Sequence, residues 1–103
     1  MATILEIAST NYEDDIFKIK RALSHLQRTC EITDGYLLSK PDSKLGWTFC
    51  QLLLKPAFSF NIKKKFADMI QKYKGKNEEK FTDFMRDFFI ARDCKIKLKL
   101  IEY

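Results

Sequence analysis

A chain of 103 residues, 46% hydrophobic and 14% aromatic, supports one domain spanning 1–103 with a single core, and it is too apolar for disorder. The net charge of +5 is unevenly placed: residues 1–50 hold six Lys/Arg against seven Asp/Glu, whereas 55–76 hold seven lysines against Asp68 alone. Cys30, Cys50 and Cys94 lack zinc or redox spacing, and no apolar run nears the ~20 residues of a membrane span.

In chain order, residues 3–8 are short and rich in β-formers, a first strand. Thr10-Asn11-Tyr12-Glu13 has the pattern of a capping box, with Asp14 and Asp15 placed where a helix dipole favours negative charge. Ile16, Ile19, Leu23, Leu26 and Cys30 follow at helical spacing, which predicts an amphipathic helix ending near Asp34-Gly35. Tyr36–Ser39 reads as a second strand. It forms a hairpin, across a loop at Lys40–Leu45 that turns at Pro41-Asp42, with the apolar stretch 46–54, where Gly46, Thr48 and the aromatics favour a strand over the competing helix through 46–55.

Pro56 ends that strand, and Ser59 or Asn61 is the expected cap of a helix with Ile62, Phe66, Met69, Ile70 and Tyr73 on one face and Gly75 at its C′ position. Asn77 is the expected cap of a third helix, in which Phe81, Phe84, Met85, Phe88 and Phe89 form a core stripe. Lys95–Leu100 alternates at period two, a half-buried strand with a lysine face. The resulting order, βαββααβ, predicts an α+β, ferredoxin-like fold with a four-stranded antiparallel sheet packed on helices.

Three groups of residues bear on function. If 46–54 is extended, Trp47, Phe49 and Gln51 point one way and Thr48, Cys50 and Leu52 the other. Trp47 and Phe49 are then either core or, beside Lys95, Lys97 and Lys99, a platform on which bases stack while lysines meet phosphates. Gly46-Trp47-Thr48-Phe49-Cys50-Gln51-Leu52 resembles the third-strand motif of the RNA-recognition motif family. The usual basic residue is displaced to Lys44, and Ile4–Ile7 lacks the aromatic that family carries in strand one.

The second group is the lysine segment Lys63, Lys64, Lys65, Lys72, Lys74 and Lys76, which suits salt-dependent contact with phosphates or with an acidic protein. The third is the polar side of the first helix, Lys18, Arg21, His25 and Arg28, with Phe17 at its edge. That face is either solvated or a contact for a protein or a nucleic acid.

Enzyme readings find little support. One histidine and no Ser- or Cys-centred motif suggest no catalytic residue, and no glycine loop cradles a nucleotide. Glu79, Asp83 and Asp87, interleaved with Lys80 and Arg86, read as a solvated helix face, so no metal and no cofactor is expected. Asp34-Gly35 resembles the helix end of LAGLIDADG homing endonucleases, which implies a metal-binding aspartate. Here Arg28–Thr33 replaces the small residues of that family, and Asp34 is read as a turn residue.

The expectation is a non-enzymatic, cytoplasmic binding protein in a reducing compartment, since Met1–Glu6 lacks signal-peptide features. Its expected partner is RNA or single-stranded DNA, with no membrane contact. The alternative is an inhibitor or adaptor that docks on a nucleic-acid-handling protein complex.

Overall fold

The computed structural model describes residues 2–101. It is an α+β fold with an open antiparallel sheet of five strands and four helices, in the order β1 (Thr3–Ser9), α1 (Tyr12–Thr29), β2 (Tyr36–Leu38), β3 (Asp42–Lys44), β4 (Trp47–Leu54), α2 (Pro56–Lys65), α3 (Ala67–Gln71), α4 (Asn77–Ile90), β5 (Ile96–Ile101). The sheet runs β2-β4-β1-β5, and β3 also pairs with β4. β4 is therefore inside the sheet, as its apolar run predicts.

The count of five strands departs from the expected four. β2 pairs only with Leu52–Leu54, which leaves the first half of β4 without a partner on that edge. Asp42–Lys44, expected as loop, fills the gap opposite Trp47–Phe49. The chain reverses at Leu45-Gly46 instead of Pro41-Asp42. Both residues have positive φ, 52° and 83°, the signs a two-residue hairpin turn needs.

All helices cover one face of the sheet. Leu5, Ile7, Cys50, Leu52 and Leu54 meet Ile19, Leu23 and Leu26 of α1, Phe58 and Ile62 of α2, and Phe81, Met85 and Phe89 of α4. Each large side chain buried this way contributes about 1.5–3 kcal/mol. The phenylalanine stripe of α4 is thus core as expected, with Phe88 half-buried at its margin.

Helix ends differ from their sequence signals. No side chain caps α1. The Asn11 carbonyl accepts from the Asp14 and Asp15 amides, so the Thr10/Glu13 box is not formed. α1 stops at Thr29, well before Asp34-Gly35, because Glu31 turns left-handed (φ 56°). The amides of Glu31 and Ile32 then close onto the carbonyls of Arg28 and Gln27, and Ile32 returns to the core.

α2 begins with Pro56 at its first position, where the missing N–H does no harm, so the expected caps Ser59 and Asn61 lie inside the helix. The expected single helix through 62–73 breaks at Phe66 (φ −111°). The change of direction leaves Met69 exposed instead of on the core face. Gly75 (φ 106°) falls beyond the capping residue Lys72, and Asn77 is the first residue of α4 instead of its cap. No described helix is long and apolar enough to cross a membrane.

Candidate nucleic-acid interface

Because all helices lie on one side, the other face of the sheet carries a second set of side chains fixed by strand parity. Register places them in rows. Asp42, Phe49, Ala8 and Lys97 form one; Gln51, Glu6 and Lys99 the next; Leu37, Leu53, Ile4 and Ile101 a third. Lys44 and Trp47 stand side by side at the hairpin end. Trp47, Phe49, Leu53 and Ile4 are half-buried and belong neither to the core nor to the residues packed on it.

Trp47 and Phe49 therefore share a face with Lys97 and Lys99. The Lys97 ammonium sits 5.0 Å from the centre of the Trp47 ring, a cation–π contact. Lys95, exposed just ahead of β5, lines a concavity of about 450 Å³ together with Trp47, Lys97 and Ile90. Glu6 and Asp42 are acidic groups within the same face.

A buried carboxylate helps set the start of β5. Asp15 is 2% exposed and accepts from the Ser9 hydroxyl (2.6 Å) and from the Lys95 amide (3.2 Å). One side chain of α1 thus ties the end of β1 to the beginning of the lysine strand. The negative first turn seen in the sequence has this structural task in addition to complementing the helix dipole.

The lysines of α2 and of the turn after α3 are elsewhere. Lys63 pairs with Glu78 (2.7 Å) and lies 5.0 Å from the Phe81 ring. Lys64, Lys65, Lys72 and Lys74 are exposed and make no ion pair among the described residues. They belong to the helix layer, on the far side of the sheet from Trp47 and Phe49.

The polar side of α1 forms a third surface. Lys18, Arg21, His25 and Arg28 line a shallow groove of about 240 Å³ with Arg92, from the turn after α4. Sequence reasoning missed Arg92, because α1 lies beside the end of α4 only in the folded protein. Phe17, one helical turn before Arg21, is 70% exposed.

Burial pushes all three thiols up, Cys94 to about 11, so each remains protonated at neutral pH. Asp34 is an exposed turn residue with φ 54° that pairs with Lys55 (3.0 Å). Among the described residues, no three His, Cys, Asp or Glu side chains gather as a metal site would require.

No protein-family model, no curated protein and no solved structure matches this chain.

Proposed function

We propose that the open face of the sheet binds single-stranded nucleic acid, with bases stacked on Trp47 and Phe49 and phosphates met by Lys97, Lys99 and Lys95. One observation carries this reading: two aromatic rings stand outside the core beside the lysine face of β5, Phe49 in register with Ala8 and Lys97, and Trp47 with the Lys97 ammonium 5.0 Å from its ring centre. Every base has a π-face and every linkage a negative charge, so such a surface holds single strands without reading sequence. A base on Trp47 displaces the Lys97 ammonium from the ring toward the adjoining phosphate. Lys64, Lys65, Lys72 and Lys74, on the opposite layer, add long-range attraction without contact, while Lys63 is neutralised by Glu78.

The same proposal includes a ferredoxin-like reading of the fold, in which β2 and β3 together act as one edge of the sheet. It also places the protein in the cytoplasm, where three unpaired cysteines stay reduced. A second reading, docking on a protein of a nucleic-acid-handling complex as an inhibitor or adaptor, is favoured by the exposure of Phe17 next to Arg21.

The test is a pair of charge reversals compared by salt titration. Lys97→Glu with Lys99→Glu is expected to abolish most binding of a single strand. Lys64→Glu with Lys65→Glu is expected to slow association and leave the contact-dependent salt slope, about 0.7 per phosphate contact, nearly unchanged. Equal losses from the two pairs would remove the assignment to the sheet face.

A further inference from the structure

We infer that the groove between α1 and the turn after α4 is a phosphate track, taking the single strand after it leaves the aromatic platform around β5. The inference rests on the platform reading and extends it to a second contact surface.

The path is continuous on the molecule. β5 is an outer strand of the sheet, and the concavity beside Trp47 runs along it through Lys97 and Lys95 to Asp93. Asp93 accepts a hydrogen bond from Lys18 at 2.9 Å, which holds its carboxyl below the usual range and neutralises Lys18 within the protein. Lys18 also lines the groove, so the two concavities meet at this ion pair. Beyond it, Arg21, Arg28 and Arg92 make no ion pair among the described residues, and none of the groove-lining side chains is acidic.

The chemistry suits phosphate. Guanidinium forks meet two phosphate oxygens at once, which an ammonium cannot do. Arg92 is already placed: its guanidinium lies 3.6 Å from the Phe88 ring centre, and one of its N–H groups donates to the Phe88 carbonyl. His25 stacks on the same ring at 6.3 Å between centres. Side chains ordered in advance lose less entropy on binding. Charge alone also fits an acidic peptide, but continuity with the stacking platform favours the same strand as occupant.

The experiment compares single strands of about 4 and about 12 nucleotides, both within the site sizes of about 4–16 nucleotides of small single-strand binders. Binding is followed by anisotropy of a labelled strand and by Trp47 fluorescence, for the wild type and for Arg21→Gln with Arg28→Gln. Both arginines are exposed, so the variant is expected to fold. The long strand is expected to lose about 25-fold in affinity at 0.1 M salt and about 1.4 in salt slope, from two lost contacts at about 0.7 each. Short-strand affinity and the Trp47 quench stay as in the wild type. An unchanged long-strand affinity and slope would overturn the track and return the groove to a protein partner. Failure of the platform looks different, because neither strand would then quench Trp47 in the wild type, and the inference would fall with it.

Discussion

Phe49→Ala is expected to separate single-strand binding from folding. Phe49 is half-buried, faces away from the helices and stands in register with Ala8 and Asp42. Full burial of such a side chain contributes about 1.5–3 kcal/mol, so its partial burial leaves a stability loss of about 1–2 kcal/mol. For a domain of this size that lowers Tm by roughly 4–16 °C. Phe89, fully buried against the sheet, gives the contrast: Phe89→Ala is expected to remove about 3–5 kcal/mol, or roughly 12 °C and more. Loss of one stacked base amounts to about 1–3 kcal/mol, which weakens single-strand binding about 5- to 150-fold. Thermal melts give the first quantity, and titrations read through the retained Trp47 give the second. Affinity equal to the wild type would refute the stacking role of Phe49. A Tm lowered as far as in Phe89→Ala would refute its placement outside the core.

Three further changes probe other parts of the account. Glu6 lies between Gln51 and Lys99 on the open face of the sheet, so Glu6→Gln is expected to tighten single-strand binding up to about fivefold, from ~0.2–1 kcal/mol of relieved repulsion, and a weaker complex would show that Glu6 orients Lys99 instead. A β-carbon at Gly35 meets the buried Phe58 ring at 2.7 Å, so Gly35→Ala is expected to destabilise by about 1–3 kcal/mol in a chemical melt; an unchanged midpoint would mean that the ring yields. The Tyr73 hydroxyl donates to Asp87 (2.6 Å), and that bond is the main cause pushing its pKa up to about 12. The folded protein therefore holds this proton more tightly than the unfolded chain. The stabilisation is complete below pH 10 and is lost as pH rises toward 12, so stability should fall more steeply over that window in the wild type than in Tyr73→Phe. Parallel curves for the two proteins would count against the bond.

What could be read in the sequence was local periodicity. The alternation of Lys95–Leu100 and the parity of Trp47 and Phe49 placed those side chains on one face if both stretches were strands, and both are. Sequence alone left open whether that face was covered, because coverage depends on where all the helices pack. β3 carries no apolar signal: Asp42, Ser43 and Lys44 are polar and exposed, and they form a strand only because β4 offers an unpaired edge. The break at Phe66 was hidden for a related reason, since Ile62, Phe66 and Ile70 keep helical spacing across a change of axis. Arg92 joined the α1 arginines through tertiary packing on Phe88, which no spacing along the chain encodes.

The central claim is most directly tested by titrating the wild-type protein with single-stranded and duplex oligonucleotides while following Trp47, its one tryptophan, at several salt concentrations. The account predicts quenching by the single strand that weakens steeply with salt, and much smaller quenching by the duplex, whose bases are already stacked on one another. Binding of the single strand without any change at Trp47, or no binding even at low salt, would contradict it.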